Sequence, residues 1–233
     1  TAHYRGKNSI GGMAKGAGML APQLSTMLVV ITTDAVLSEV EADAALKVAM
    51  GQTLDRIDSD GCMSTNDTVI LMASGASGVH PDPEEFTEHL IEVAQDLGEQ
   101  LIGDAEGASH DISINVHGAS SQSAGLAVAR AVSRSNLLKC AVFGNDPNWG
   151  RVLSSLGTVP ESVAPFDAAR VDVAINGVTV CRNGGVGDAR ELVDMNARMV
   201  QIDIDLKAGV EDVVVLTNDL TYGYVEENSA YSS

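Results

Sequence analysis

The sequence is organised around a stretch from Ile10 to Asp34 that reads IGGMAKGAGMLAPQLSTMLVVITTD. Its first half carries Lys15, and we expect a loop over Gly11–Gly18 because so many glycines disfavour a helix. Its second half contains a short apolar run, Met27–Thr33, of the kind that forms a buried strand. The stretch therefore places Thr26 at a junction between loop and strand.

Thr26 is a candidate nucleophile. A threonine hydroxyl attacks a carbonyl poorly until a base removes its proton, and cleavage of the chain just before the residue supplies such a base, the new α-amino group. Because an α-amino group has a pKa of about 7.7–8.0, a useful fraction is neutral near pH 7. Thr1 is the competing amino-terminal threonine, a processed end, an expression artefact or a fragment boundary. We disfavour it because a polar lead-in follows it, with no apolar strand to hold the amine.

Five sequence motifs occur in order over nearly the whole chain. They are GGMAKGAGM with Pro22 and STML between Gly11 and Leu28, STNDT at Ser64–Thr68, DAEG at Asp104–Gly107, FGNDPNWGR at Phe143–Arg151 and YVEENSAYSS at Tyr224–Ser233. Together they resemble the ornithine acetyltransferases, also called bifunctional glutamate N-acetyltransferases. The chain looks like the β-chain of such an enzyme, preceded by a short uncut lead-in from the α-chain.

The resemblance implies an acetyltransferase of arginine biosynthesis that works through Thr26. The Thr26 hydroxyl would first attack the Ser25 carbonyl and release the upstream chain. It would then take the acetyl group of N2-acetylornithine as an acetyl-threonine ester and pass it to glutamate. The residue before the cut is typically alanine in the family, and Ser25 departs from that pattern while remaining small.

The same resemblance assigns substrate binding to Lys15, Glu106, Asn228 and Ser233, together with Thr26. By this resemblance, Lys15 would bind a substrate carboxylate or help to tune the amine at Thr26. Without it, a lone lysine reads as a solvated surface charge and a polar tail reads as frayed. Glu106 stands apart from the acidic face of the helix before it, since it follows the last apolar position of that helix. A carboxylate about 4 Å from a substrate ammonium contributes up to about 4 kcal/mol before desolvation is counted, enough to select ornithine over a neutral amino acid.

The resemblance also implies partners. An acyl-transfer site needs hydrogen-bond donors for the developing oxyanion, and in the family a Thr-Gly pair on the upstream α-chain supplies them. We therefore expect this chain to need that segment, and the family suggests a heterotetramer of two α and two β chains. No cofactor is expected, although acetyl-CoA stays open as an alternative acetyl donor.

Composition narrows the class of protein. The 233 residues are 45% hydrophobic, enough for one large domain or two small ones, and no apolar run reaches the roughly 20 residues that span a bilayer. A formal net charge of −18 argues against nucleic acid or an anionic membrane as a partner. We expect a cytoplasmic protein.

The metal-binding residue types show no ligand spacing. Five histidines are scattered along the chain, and the acids Asp67 and Asp146 are left over, with Asp146 read as structural. Three cysteines, Cys62, Cys140 and Cys181, lack metal-type spacing and read as reduced core or near-core thiols.

Helices and strands alternate first, and strands dominate later. Helices are predicted at Glu39–Thr53 behind a Ser38–Glu41 capping box, from Pro83 with an apolar stripe at Phe86–Leu101, at Ser123–Arg134 and at Trp149–Leu156 behind Asn148. Strands are predicted at Val69–Ala73, from Asp111, at Lys139–Phe143, at Gln201–Leu206 and at Asp212–Leu216, and a hairpin at Val171–Val180 around Asn176-Gly177.

This pattern favours a layered α/β fold with a more strand-rich C-terminal part. The resemblance implies a sandwich of sheets flanked by helices, the fold of the self-processing ornithine acetyltransferases. We divide the chain into an upstream end with the glycine-rich loop (1–25), a nucleophile-bearing α/β part (26–110) and a C-terminal α+β part (111–233).

Two other functions stay open. A related amino-terminal nucleophile hydrolase would use water in place of glutamate, and a specialised-metabolism acyltransferase would use another substrate. A non-catalytic binding protein of the same fold would neither process itself nor accept an acetyl group.

Overall fold

The computed structural model of the protein describes residues 1–16, 18, 27–62 and 66–230. The chain forms two compact units, Thr1–Ala105 and Glu106–Ser233. Each unit contains one sheet with helices, so the predicted α/β class with two helix-flanked sheets is confirmed. The three-part division of the chain made from the sequence stays a prediction.

The first unit is built on a four-stranded sheet in the order β1-β2-β3-β4. Its elements are β1 (Ala2–Arg5), β2 (Ser9–Lys15), β3 (Leu28–Thr33), α1 (Glu39–Gln52), β4 (Thr68–Ala73) and α2 (Pro83–Gly103), with a short 3-10 helix at Leu54–Arg56. The strands β1 to β3 are antiparallel neighbours, whereas β3 and β4 are parallel and α1 lies in the connection between them. Helix α2 contacts β1, β2 and α1, so the helices cover the sheet beside β2.

Two predictions for the start of the chain are wrong. Gly11 and Gly12 lie within β2 and not in a loop, and Ala2–Arg5 forms β1, an edge strand, where a polar lead-in was expected. The reason lies in tertiary packing. A Cβ on Gly12 would stand 2.8 Å from Leu97 Cδ1 of α2, so glycine here lets the helix approach the strand closely.

The helix starts of the first unit follow their sequence signals. The Ser38 hydroxyl accepts the Glu41 N–H, and the Glu41 carboxylate accepts the Ser38 N–H, which confirms the capping box. The Ser38 hydroxyl and N–H together hold the pKa of Glu41 below its usual range, because they stabilise the ionised form. Asp82 caps α2 just before Pro83, and its carboxylate accepts the N–H groups of Glu84 and Glu85.

The second unit is built on a six-stranded sheet in the order β10-β5-β9-β6-β7-β8. Its strands are β5 (Asp111–Ala119), β6 (Asp172–Ile175), β7 (Val178–Arg182), β8 (Gly185–Val186), β9 (Met199–Asp205) and β10 (Glu211–Asn218). Its helices are α3 (Gln122–Ser133), α4 (Asn136–Phe143), α5 (Trp149–Leu156) and α6 (Tyr222–Ala230), with short 3-10 helices at Ala168–Arg170 and Arg190–Leu192. The core lies where α3 to α5 pack on the sheet, with Ile114, Val128, Val152 and Ile202 fully buried.

One element of the second unit was predicted with the wrong type of secondary structure. The run Lys139–Phe143, predicted as a strand, belongs to helix α4, whose start is capped by the Ser135 hydroxyl. A short apolar run does not distinguish a buried strand from a buried helix by periodicity. Helix α4 also turns Cys140 outward. Cys140 is exposed, and so is Cys62 in the first unit, contrary to the expectation of near-core thiols. Cys181 is buried, and burial raises the pKa of its thiol.

The hairpin predicted at Asn176-Gly177 is confirmed. Both turn residues have positive φ, 46° for Asn176 and 81° for Gly177, as the tight turn between β6 and β7 requires. Within the described ranges, no helix is long and apolar enough to cross a membrane.

The contribution of Asp172 to the stability of this hairpin depends on pH. Lys207 Nζ lies 2.7 Å from one carboxylate oxygen, and the Asn183 N–H donates to the other at 2.7 Å. The Lys207 hydrogen bond first, and the Asn183 N–H second, lower the pKa of Asp172. Because the pKa of Asp172 is lower in the folded state, the ionised carboxylate stabilises the fold at every pH above about 3.9, the pKa of an aspartate in the unfolded chain. This stabilisation is lost as the pH falls through the pKa of the folded state.

We therefore expect Asp172→Asn to lower the free energy of unfolding at pH 7 by about 1 kcal/mol. The difference from the wild type should shrink as the pH falls below about 4. Urea unfolding at pH 7 and pH 3 measures both values. Asp188→Asn is the matched control, because its ion pair with Arg182 is more exposed and should change stability little. An equal effect of Asp172→Asn at both pH values would contradict the assignment.

Candidate active site

The start of β3 is fixed by Asp67, just before β4, and by Thr68, the first residue of β4. Asp67 accepts the Met27 N–H at 2.7 Å, and the Thr68 N–H donates to the Met27 carbonyl at 3.1 Å. The N–H and the carbonyl of Met27, the residue after Thr26, are therefore both hydrogen-bonded. Asp67, left over by the sequence analysis, anchors the strand that begins after the candidate nucleophile. The small polar run Ser64–Thr68 was the only sign of this, and Thr26, Ser25, Ser64 and Thr65 lie outside the described residues.

Lys15 is the last residue of β2. It lies directly opposite Leu28 of β3, two residues after Thr26 in the chain, and its side chain is exposed. Among the described residues, no carboxylate forms an ion pair with its ammonium. The predicted site residue is therefore an exposed cation at a strand end, and residues 11–15 of the expected loop belong to β2.

Glu106 and Asn228 are in contact in the second unit. Asn228 lies in α6, and its Nδ2 donates to Glu106 Oε2 at 3.0 Å and to the Tyr224 carbonyl at 3.0 Å. The two predicted substrate residues are 122 positions apart, and the fold brings them together. The tail is helical as far as Ala230, and Ser233 lies outside the described residues.

The turn that carries Glu106 packs backbone to backbone on the start of α6. Gly107 has φ of +62°, and a Cβ on it would stand 2.3 Å from Tyr224 N and 2.4 Å from Gly223 C. The Thr221 hydroxyl donates to the Gly107 carbonyl at 2.5 Å and accepts the Tyr224 N–H at 3.0 Å. Only glycine fits at position 107, for both reasons.

A buried carboxylate holds the other end of this turn. Asp219 accepts the Ser109 N–H at 2.9 Å on Oδ1, and its Oδ2 accepts the Ser109 hydroxyl and lies 2.9 Å from His110 Nδ1. The Asp219 side chain is fully buried. Neither Asp219 nor Thr221 stood out in the sequence, because their partners lie about 110 residues away.

The FGNDPNWGR motif forms the turn between α4 and α5. Asn145 has φ of +55°, and the Asn148 side chain caps α5 by accepting the Arg151 N–H, which confirms the predicted N-cap. Asp146 accepts from Asn148 Nδ2 at 2.9 Å and lies 3.6 Å from Arg190. These contacts are those of a structural turn.

The remaining acids and histidines offer no metal centre in the part of the chain that the structure describes, where no three His, Cys, Asp or Glu side chains are arranged to hold an ion. His117 lies 3.3 Å from Asp212 and 3.6 Å from Asp203 on one face of the second sheet. The Gly118 N–H first, and then His117, lower the pKa of Asp212. These residues pair with one another.

Comparisons with known proteins show the family of the chain. The ArgJ family model matches residues 1–233. "Arginine biosynthesis bifunctional protein ArgJ" of Bifidobacterium longum is 58% identical over 236 residues, which cover 100% of this chain and 60% of that protein. The protein of the same name from Streptomyces avermitilis is 60% identical over 225 residues, covering 97% of this chain and 58% of its own length.

A solved structure shares the fold. The crystal structure of arginine biosynthesis bifunctional protein argJ from Bacillus halodurans superposes with a TM-score of 0.80 at 31% identity, covering 88% of this chain and 98% of the other. The present chain spans about 60% of the length of the Bifidobacterium and Streptomyces relatives. The resemblance recognised in the sequence is confirmed, and the chain belongs to the ArgJ family.

Proposed function

We propose that this chain is the nucleophile-bearing part of an acetyltransferase of arginine biosynthesis, which moves the acetyl group of N2-acetylornithine to glutamate through Thr26. The observation that carries the proposal is the contact between Glu106 and Asn228, two of the residues of the second unit that the family likeness assigns to substrate. The words "arginine biosynthesis" and "bifunctional" in the names of the relatives support the same reaction.

The charges of the candidate residues fit this substrate. N2-acetylornithine carries a side-chain ammonium, an α-carboxylate and the acetamide that reacts. The carboxylate of Glu106, held by Asn228, suits the ammonium, and the exposed ammonium of Lys15 suits the carboxylate. Ser233 is assigned to substrate on the resemblance alone.

The chemistry proceeds in two acyl transfers after self-cleavage. The Thr26 hydroxyl attacks the Ser25 carbonyl, the Ser25–Thr26 amide bond breaks, and water releases the upstream chain from the resulting ester. The freed α-amino group of Thr26 then takes the hydroxyl proton while the oxygen attacks the acetyl carbonyl of N2-acetylornithine. The amide C–N bond breaks and ornithine leaves with the proton. The amine of glutamate attacks the acetyl-threonine ester, the C–O bond breaks, and Thr26 is restored.

The upstream segment completes the site in this proposal by donating hydrogen bonds to the oxyanion. An open apolar face on the sheet of the first unit supports such a partner. Met13, Val30 and Ile70 lie side by side across three strands, and Met13 is 61% exposed and Ile70 44% exposed. Lys15 shares this face, two residues from Met13 along β2. Exposed apolar patches of this kind mark interfaces.

Further assignments go beyond the site residues. On the family resemblance we propose a heterotetramer of two α and two β chains, and on composition we propose a cytoplasmic location. No cofactor is assigned, because the threonine ester itself carries the acetyl group between the two substrates. Acetyl-CoA is the other acetyl donor to be tested.

An exchange assay tests the function. The upstream segment of the Bifidobacterium relative is joined to Thr1, and the purified product is given N2-acetylornithine with and without glutamate. We expect N-acetylglutamate and ornithine in equal amounts, with little ornithine released in the absence of glutamate. Acetate release that does not depend on glutamate would identify a hydrolase, and no turnover of either kind would favour a binding protein. A parallel assay with acetyl-CoA and glutamate tests the second donor.

A further inference from the structure

The position of the Glu106 carboxylate depends on contacts made by its neighbours in the chain. Glu106 lies in a turn between α2 and β5, outside the hydrogen-bonded ladder of the sheet. A turn is not held by regular backbone pairing, so side chains from elsewhere must fix it. Two such side chains, Thr221 and Asp219, come from the segment between β10 and α6.

Thr221 uses its hydroxyl in both directions. The O–H donates to the Gly107 carbonyl at 2.5 Å, and the oxygen accepts the Tyr224 N–H at 3.0 Å. The residue is 5% exposed. Since Tyr224 is the third residue of α6, the second bond is an N-cap. One hydroxyl therefore joins the turn of Glu106 to the first turn of the helix that carries Asn228.

Helix α6 links the Thr221 hydrogen bonds to Glu106 through Asn228. Asn228 lies one helical turn after Tyr224, and its Nδ2 bonds both the Tyr224 carbonyl and Glu106 Oε2. The contact of Gly107 with Gly223 and Tyr224 sets the distance between turn and helix. A shift of the helix along the turn would move the Asn228 amide away from the carboxylate.

We propose that Thr221 is a positioning residue, whose hydroxyl holds the Glu106 carboxylate against Asn228 so that the other carboxylate oxygen is presented to the ammonium of the acetyl donor. This inference rests on the proposed function, in which Glu106 binds that ammonium. Thr221 itself does not touch substrate. A structural N-cap alone would affect the stability of α6 and not the affinity for one substrate.

Thr221→Val removes both hydrogen bonds at nearly constant volume. In the joined enzyme we expect the KM for N2-acetylornithine to rise about tenfold, because a carboxylate displaced by a fraction of an ångström loses much of its directed contact. The KM for glutamate, which has no side-chain ammonium, should stay unchanged. A loss of folded enzyme would instead lower kcat with either substrate and leave both KM values in place.

Three further variants sharpen the test. Thr221→Ser keeps the hydroxyl and should restore the KM. Thr158→Val is the matched control, because the Thr158 hydroxyl also donates to a backbone carbonyl, Ser155 O at 2.7 Å, but at the end of α5. In a Glu106→Gln background, Thr221→Val should add no further rise in KM, since the two changes act through one interaction.

Hydrogen exchange separates this inference from the proposed function. Exchange at the Tyr224 amide, followed by mass spectrometry or NMR, should accelerate in Thr221→Val whether or not the enzyme transfers acetyl groups. An inactive wild type with this acceleration would overturn the proposed function, and the ammonium role with it, while leaving the contact standing. An active wild type in which Thr221→Val keeps the donor KM, or raises it further in the Glu106→Gln background, would overturn the positioning role.

Discussion

Thr26→Ala is expected to abolish both self-cleavage and acetyl transfer. The substitution removes the only oxygen that attacks the Ser25 carbonyl and later carries the acetyl group, so no alternative covalent route remains in the proposed mechanism. Loss of a covalent nucleophile typically lowers kcat by on the order of 10⁴-fold or more. The measurement is gel analysis of the joined precursor, followed by the exchange assay with N2-acetylornithine and glutamate.

The neighbouring residues provide controls for Thr26. Thr26→Ser keeps a hydroxyl and should keep measurable cleavage and transfer. Thr32→Ala removes an exposed hydroxyl from β3, which begins at Leu28, and should behave as the wild type, because that hydroxyl makes only a long bond to Gly11 O at 3.4 Å. Ser25→Ala restores the residue typical of the family before the cut and should not slow cleavage. Transfer by Thr26→Ala at the wild-type rate would remove Thr26 from the mechanism.

Glu106→Gln is expected to raise the KM for N2-acetylornithine by about 100-fold. The change keeps the size of the side chain and an oxygen for the Asn228 amide, but it removes the negative charge. A carboxylate–ammonium pair that is partly shielded from water contributes about 2–4 kcal/mol, and 2.7 kcal/mol corresponds to 100-fold. Steady-state kinetics with N2-acetylornithine as the varied substrate measures the effect.

A variant of a nearby acid, Glu226, tests whether the effect on KM comes from the position of Glu106 or only from the net charge. Glu226→Gln removes the same charge from α6, two residues before Asn228, at an exposed position, and we expect no change in KM. Glu106→Asp keeps the charge but shortens the side chain, so it should fall between the wild type and Glu106→Gln. Equal effects of Glu106→Gln and Glu226→Gln would show that only net charge matters, against the assigned role of Glu106.

The parts of the fold that the sequence predicted are those set by local chemistry. The Ser38–Glu41 capping box, the Asn148 cap and the Asn176-Gly177 turn each involve residues within a few positions of one another. Helix α2 was predicted from Pro83 at its start and from a regular apolar stripe. Such signals act before any tertiary contact forms, so they can be read from the chain directly.

The wrong predictions have tertiary causes. The local sequence predicted a loop at Gly12, yet Gly12 lies in β2, where the absence of a side chain leaves room for Leu97 of α2. Helix α4 reads as a strand because its apolar run is short, and packing decided its type. Local pattern does not reveal which distant element a segment will meet.

In the candidate site, too, the sequence predicted individual residues but not the contacts between distant ones. The family likeness pointed to Lys15, Glu106 and Asn228, but the contact of Glu106 with Asn228 joins positions 122 residues apart. The partners of the supporting residues were not predicted. Asp67, which holds Met27, and Asp219, which holds Ser109, bond partners 40 and 110 residues away, and no spacing rule connects them.

The most direct test of the central role of Thr26 is the intact mass of the joined precursor before and after incubation with N2-acetylornithine. We predict two fragments, the second beginning at Thr26, and a gain of one acetyl group on the second fragment that glutamate then removes. A single uncut polypeptide that gains no acetyl group would contradict the account, and the binding-protein interpretation would replace it.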